Sequence, residues 1–376
     1  MMLHCIQCGA RFGERELIWR CPCGGTLQLS GYNPRPASSQ CSPWRYLNGF
    51  FPALERDALV TMGEGNTPLI ERSIAGHKAW FKLDYLMPSG SYKDRGMSVL
   101  ATWLRTVGLT KVVEDSSGNA GASLAAYCAA GGIACDVYVP SYTSAGKCVQ
   151  IAAYGGNLVR IPGSREKTTQ AAMEAGRQSF YASHNWSPWF LHGVKTWFLE
   201  VHEHLPDVKN IVVPVGQGSI ALGAWLAMED LRHMGVDVSV RILGVQPEAC
   251  APLARAFEEK KHLPATIEKR ETAAEGIASS EPVRGAEVLE TVRSSKGTFV
   301  TVNEEELWEA LNELGKAGLF LEPTSAAAVA GWKKLLKAGE LLEEEETVVF
   351  LSGSGLKASD KIAAHFEPKL HTSNFA

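Results

Sequence analysis

The chain has 376 residues, 45% of them hydrophobic and 21% charged, with a formal net charge of −4. That length is ample for two domains and a large buried core, and the mild acidity puts no excess of basic charge behind binding to nucleic acid or to an anionic membrane. No run of about 18 apolar residues is present to cross a bilayer, and the N-terminus MMLHCIQCGARFGERELIW lacks the basic start and apolar stretch of a secretory signal, so the reading is a cytoplasmic protein.

Residues 1–35 read differently from the rest of the chain. Cys5 and Cys8 form C-x-x-C, and Cys21 and Cys23 form C-x-C ahead of Gly24-Gly25. Two turns that each present a pair of sulfurs make a tetrahedral four-thiolate zinc site, which leaves no open coordination position and is therefore structural. The alternatives are a ribbon that has lost its metal or a pair of local disulfides. A Pro- and Ser-rich linker comes next, NPRPASSQCSPWRYLNGFFP.

From residue 59 onward short apolar strands alternate with longer helices. Strands are expected at Ala79–Leu83, Lys111–Glu114, Cys135–Val139, Asn157–Ile161, Asn210–Val215, Arg241–Val245 and Thr347–Leu351. Continuous apolar runs such as IVVPV and TVVFL suit strands covered on both faces. Helices are expected at Gly121–Ala130, Thr168–Ser179, Ile220–Arg232, Glu304–Lys316 and Ala326–Ala338, with LLEEEET as a solvated helix end. Such alternation predicts an α/β fold of parallel sheets with crossover helices.

Four motifs sit at strand-to-helix junctions, where α/β sheets gather ligands. In Pro88-Ser-Gly-Ser-Tyr-Lys-Asp-Arg-Gly96 a lysine flanked by small residues opens a helix, where a partly buried amine can attack an aldehyde. The plainer reading is a charged helix start. In Asp115-Ser-Ser-Gly-Asn-Ala-Gly121, Asn119 is either a helix N-cap or an amide donor to a ring hydroxyl, and Ser117 with nearby backbone N–H groups can receive a carboxylate. Gly216-Gln-Gly-Ser-Ile220 lets backbone N–H groups close on a phosphate at a helix N-terminus, although any tight turn can use such glycines. Leu351-Ser-Gly-Ser-Gly-Leu-Lys357 offers a serine hydroxyl to a ring nitrogen, or is simply a Gly-rich turn.

Taken in order, PSGSYKDRG, SSGNAG, GQGSIALG and LSGSGLK resemble the junction motifs of the fold type II (β-family) pyridoxal-phosphate enzymes, and threonine synthase in particular. Glu64-Gly-Asn-Thr-Pro-Leu69, Gly193-Val-Lys-Thr196 and Glu322-Pro-Thr-Ser-Ala326 add to the resemblance, which spans residues 59 to about 360. It implies two doubly wound α/β domains preceded by the zinc-ribbon-like module at 1–35: a large cofactor domain from 36–95 and 185–376, and a small inserted domain at 96–184. Lys93 matches the lysine that holds pyridoxal 5'-phosphate as a Schiff base, and Asn119 the residue facing the ring hydroxyl. The backbone of Gly216, Gln217, Gly218 and Ser219 matches the phosphate cup. Ser352 matches the partner of the ring nitrogen, with Ser354 beside it. Ser116, Ser117 and Ala120 match the seat of the substrate carboxylate. A neutral partner at the ring nitrogen suits elimination and replacement over transamination.

The implied activity is conversion of O-phosphohomoserine and water to threonine and phosphate, by γ-elimination and β-addition, in a homodimer acting on a small amino acid. One departure bears on the substrate. Where an Asn-Pro-x-Arg stretch is expected to seat the phosphate, the chain reads Ser187-Pro-Trp-Phe190, and a phenyl ring cannot neutralise a dianion. Asn185 and Arg160 are the candidates to compensate. The alternatives are a related lyase or β-replacement enzyme on a different small amino acid, such as a threonine or serine dehydratase-like deaminase, and a catalytically silent ligand-binding homologue. Retention of Lys93, the glycine cup and Ser352 argues against the silent form. The aromatic residues around 186–198 line an apolar pocket or, more plainly, pack the core.

Overall fold

A computed structural model describes residues 1–38, 43–50, 53–116, 118–143 and 145–370, the side chains of 145–147 and 368–370 excepted. The N-terminal module is a three-stranded antiparallel sheet of β1 (Met2–Cys5), β2 (Arg11–Gly13) and β3 (Leu27–Ser30), in the order β2-β1-β3. The chain then enters a larger sheet through the hairpin β4 (Leu69–Ile74) and β5 (His77–Lys82). Helix α1 (Lys93–Thr106) leads to a second parallel sheet. That sheet holds β6 (Lys111–Glu114), β7 (Ala134–Pro140) and β8 (Asn157–Ile161), with α2 (Asn119–Gly131), α3 (Ala145–Ala153) and α4 (Arg165–Ala175) between and after its strands.

Two short helices, α5 (Pro188–Val194) and α6 (Thr196–His204), carry the chain back to the larger sheet. There β9 (Asn210–Pro214), α7 (Ser219–His233), β10 (Arg241–Pro247), α8 (Pro252–Glu258), α9 (Gly285–Ser294), β11 (Thr298–Val302), α10 (Glu304–Lys316), α11 (Pro323–Lys337), β12 (Thr347–Phe350) and α12 (Ser359–Leu370) complete the fold. The strand order is β11-β10-β9-β12-β5-β4, parallel except for β4. Central strands β9 and β12 are buried along their whole length, as their unbroken apolar sequences require when helices cover both faces. The two sheets meet through α1, which packs on both α2 and α5.

The aromatic stretch is core: Trp189, Phe190, Trp197 and Phe198 are all buried. The acidic stretch LLEEEET is not a helix end. Helix α11 stops at Lys337, Gly339 takes a left-handed φ of 71°, and Leu341 turns back into the core while the glutamates form an exposed turn before β12.

Candidate active site

Four loops at the C-terminal ends of parallel strands build the site. The segment before α1 is held from both sides. Tyr92 N donates to Ser352 O at 2.9 Å, and Ser354 N donates to Gly90 O at 2.9 Å. Asp94 and Arg95 are fully buried, which removes the reading of Lys-Asp-Arg as a solvated helix start. Asp94 accepts from Ser89 N, Ser89 Oγ and Ser123 Oγ at 2.7, 2.5 and 2.5 Å. Arg95 pairs with Asp84 and Glu200, each at 2.6 Å. With Tyr92, Asp94 and Arg95 all pinned, the position of the half-buried Lys93 is fixed between two aromatic rings. Its Nζ lies 4.7 Å from the Tyr92 ring centre and 5.5 Å from that of Phe190. Among the described residues no carboxylate forms an ion pair with it.

Asn119 is not the N-cap of α2. Gly118 occupies that position, Asn119 is the first helical residue, and its side chain turns away to donate to both oxygens of Glu322, at 3.0 and 3.3 Å. Gly118 has no side chain to cap with, so among the described residues no side chain caps α2, and its first-turn N–H groups, including that of buried Ala120, are placed to meet an anion. Ser116 Oγ accepts from Gly118 N at 3.3 Å and shapes this entrance. Ser117 lies outside the described residues.

The turn at 216–219 is set by sterics. Gly218 has φ 86°, and a Cβ there would stand 2.2 Å from Val288 Cγ2. Backbone therefore comes close and leaves N–H groups at the start of the 15-residue α7, a geometry suited to a phosphate. The Gln217 side chain faces away and fastens the neighbouring loop, donating to Ser279 Oγ at 2.7 Å and accepting from Val283 N at 2.8 Å. Ser219 Oγ is 2.9 Å from Tyr92 Oη, joining the cup to the lysine segment.

Ser352 is buried, with its Oγ 3.1 Å from Ser325 Oγ and donating to Glu322 Oε1 at 3.3 Å. Ser354 instead caps the turn at 355–358, accepting from Leu356 N at 3.3 Å. Glu322 thus bridges Asn119 and Ser352. Burial raises its carboxyl pKa against the opposing pull of the Asn119 amide and of the Lys357 charge. Lys357, also in the cleft, donates to Ser89 O at 2.9 Å and to Gln150 Oε1. Burial lowers its pKa.

Two further polar residues lie close enough to Lys93 to feel its charge. Glu114, at the end of β6, is fully buried with Oε1 2.9 Å from His184 Nδ1, and its Oε2 has no partner among the described residues. Burial pushes the Glu114 carboxyl well up and the His184 imidazole well down, and the charge of Lys93 acts on both. The His184 ring stands 5.5 Å from that of Phe190. Asn185, next in the chain, has its carbonyl bonded by Arg284 at 3.3 Å and its Oδ1 buried without a partner among the described residues. Arg160 is committed elsewhere, to the carbonyls of Ser141 and Thr143 at 3.2 and 3.0 Å. Sequence reasoning missed Glu114 and His184, and gave no role to Tyr92 of the first motif. It quoted Glu322 and Lys357 in their motifs without giving them roles. Only Glu322, preceding a proline at a helix start, carries a readable local signal.

In the N-terminal module, Cys5 and Cys23 sulfurs lie 3.5 Å apart, Cys8 and Cys21 sulfurs 3.6 Å, and all four within 4.8 Å of one another. A tetrahedron with Zn–S bonds of about 2.3 Å has edges of about 3.8 Å, so the four thiols fit such an ion, whereas a disulfide needs about 2.0 Å. A Cβ on Gly25 would stand 2.7 Å from Cys5 Sγ, so only glycine allows this closure. The module is fastened to the rest of the chain. Arg284 donates to Leu27 O at 2.9 Å and to Trp186 O at 2.7 Å, and the Trp19 ring meets Tyr181 and Trp186 edge-on at 5.0 and 5.3 Å.

This arrangement is that of a pyridoxal-phosphate enzyme of fold type II. The chain belongs to the pyridoxal-phosphate dependent enzyme family, whose model matches residues 60–353. Within it, the chain stands with the threonine synthases. It is 31% identical to the threonine synthase of Methanocaldococcus jannaschii over 98% of this chain and 96% of that one. It is also 31% identical to the threonine synthase of Methanosarcina acetivorans, over 94% and 92%. Among solved structures, a processed threonine deaminase isoform from Solanum lycopersicum shares the fold with TM-score 0.70 and 20% identity, covering 91% of this chain and 97% of that one. Maize serine racemase does so with TM-score 0.67 and 22% identity, covering 81% and 94%. No helix among the described residues is long and apolar enough to cross a membrane.

Proposed function

We propose that the chain is a threonine-synthase-type lyase that converts O-phosphohomoserine and water to threonine and phosphate. The observation that carries this reading is the convergence of Lys93, Asn119, Ser352 and the 216–219 turn on one cleft, in a chain that aligns with threonine synthases over nearly its whole length. When bound, pyridoxal phosphate supplies an electron sink attached to the substrate amine. The N–H groups of residues 216–219 hold its phosphate, Asn119 faces its hydroxyl, and Ser352 meets its ring nitrogen as a neutral partner. The Lys93 Nζ carries the cofactor and then moves protons between the carbons of the substrate. Ser116, Ser117 and Ala120 receive the substrate carboxylate at the start of α2, and Asn185 lines the far end of the substrate pocket.

A second reading, a dehydratase-like lyase on an uncharged small amino acid, is favoured by one feature. Phe190, not a cation, stands beside Lys93. The test is a panel of L-amino acids and their O-phosphates scored by product: phosphate and threonine from O-phosphohomoserine support the first reading, and keto acid from serine or threonine without phosphate turnover replaces it with the second.

We also assign a structural zinc to Cys5, Cys8, Cys21 and Cys23, supported by their sulfur spacing, and place the protein in the cytoplasm as a homodimer on the family resemblance. The domains are 1–35, 36–95 with 185–376, and 96–184. Sheet membership supports this division, although the crossing at 95–96 falls inside α1 rather than in a loop.

A further inference from the structure

We propose that His184, backed by Glu114, donates a proton to the oxygen that leaves the substrate, so that the enzyme also expels an unactivated hydroxyl group from small hydroxy amino acids. The inference rests on the cofactor reading above.

The geometry supplies the parts. The Glu114 carboxyl and His184 Nδ1 are 2.9 Å apart, and both residues are buried. The His184 side chain keeps 11% exposure, and its Nε2 has no hydrogen-bond partner among the described residues. Glu114 Oε2 is likewise unpartnered, and buried polar atoms left in that state mark a place for a ligand or an ordered water. The ring stands against Phe190, the same residue that lies beside the Lys93 amine.

The surrounding charges decide what the pair can meet. Arg165 is spent on Asp115 at 2.9 Å, and Lys357 on Ser89 O and Gln150. Lys93 is reserved for the cofactor. An oxygen without charge is therefore the better partner for Nε2. Burial favours the neutral form of both members, raising the acid and lowering the imidazole. Glu114 then holds a transferable proton, and His184 presents N–H at Nε2.

The step balances. As the carbon–oxygen bond breaks, its electron pair stays with oxygen, which takes the Nε2 proton. Nδ1 takes the carboxyl proton, leaving a neutral imidazole and a Glu114 carboxylate. Lys93 has meanwhile gained the proton removed from the α-carbon, so restoring Glu114 from that pool leaves water and the unsaturated product with no net acid consumed. Hydroxide is a poor leaving group and needs this proton. An acetate or phosphate ester needs it far less.

The test uses the full-length holoenzyme and its His184→Gln and Glu114→Gln variants, with L-serine and L-threonine against O-acetyl-L-serine. A lost proton donor typically costs about 10²–10⁴-fold. Both variants are expected to lose at least about 100-fold in kcat on the hydroxy amino acids and less than about tenfold on the ester, with the cofactor absorbance unchanged. Equal losses on both kinds of substrate overturn the proposal, since that is what a purely structural role gives. If a variant does not fold, the wild type still decides: a hydroxyl-to-ester kcat ratio above about 10⁻² is expected, and one below about 10⁻² overturns it. A wild type that holds no cofactor defeats the cofactor reading and this proposal with it, whereas bound cofactor with no loss of hydroxy-amino-acid turnover in the variants defeats this proposal alone.

Discussion

Replacing Gly218 by alanine adds one methyl group where the structure has least room for it. The backbone there has φ 86°, which costs an L-residue about 1–2 kcal/mol. The new Cβ would lie 2.2 Å from Val288 Cγ2 and 3.2 Å from Cγ1, and Val288 is itself fully buried. Overpacking of this kind costs about 1–3 kcal/mol, for a total of about 2–5 kcal/mol. The cheapest relief shifts the 216–219 backbone, whose N–H groups are assigned to the cofactor phosphate. Since about 1.4 kcal/mol is tenfold in affinity, cofactor binding should weaken by about 30- to 4000-fold if the whole cost falls on the bound turn. Titration of the apoenzyme with pyridoxal phosphate, followed by absorbance, measures this directly. Adding Val288→Ala removes both clashing methyl groups, so the double variant should recover about 1–3 kcal/mol relative to the sum of the single effects. Wild-type affinity and melting in Gly218→Ala, or no recovery in the double variant, would refute the reasoning.

Cys21→Ser should abolish the expected one zinc per chain and expose residues 1–35 to proteolysis, with the cofactor absorbance retained; metal analysis showing no zinc in the intact protein contradicts the assignment. Acid should also unfold the protein in a defined window. Burial alone would raise the Glu200 carboxyl pKa, but Arg95 and Lys82 override that and hold it at about 2 against an ordinary 4.5. A depressed carboxylate contributes stability that is present above the unfolded value and lost as pH falls through the folded one, here about 3 kcal/mol between roughly pH 4.5 and 2. Urea unfolding across that range should show the loss, and should show little of it in Glu200→Gln, which starts from a lower stability at neutral pH. A flat profile in the wild type counts against the network.

Much of the fold was legible because its chemistry is local. Unbroken apolar runs such as those of β9 and β12 mark central parallel strands, and Asn303 with Glu306 caps α10 where its expected start lies. Strand β4 escaped because Glu71, Arg72 and Ser73 are exposed on an edge strand, which erases the apolar signal. Helices α5 and α6 escaped for the opposite reason: every residue of α5 and most of α6 are buried, so no polar face gives the helical period. In the site, Lys93, Ser352 and the Gly218 turn sit in motifs with local signatures. The Asn119 side chain suits a helix cap equally well in sequence, and only the folded backbone puts Gly118 in that place. Glu114 and His184 are 70 residues apart and meet only through folding, so nothing in either neighbourhood announces the pair.

Every role assigned in the cleft depends on Lys93 being the point of covalent attachment. Reducing the holoenzyme with borohydride and mapping the labelled peptide by mass spectrometry should place the pyridoxyl group on Lys93, and Lys93→Ala should carry no label and no turnover. Label on another cleft amine such as Lys357, or full turnover in Lys93→Ala, would contradict it.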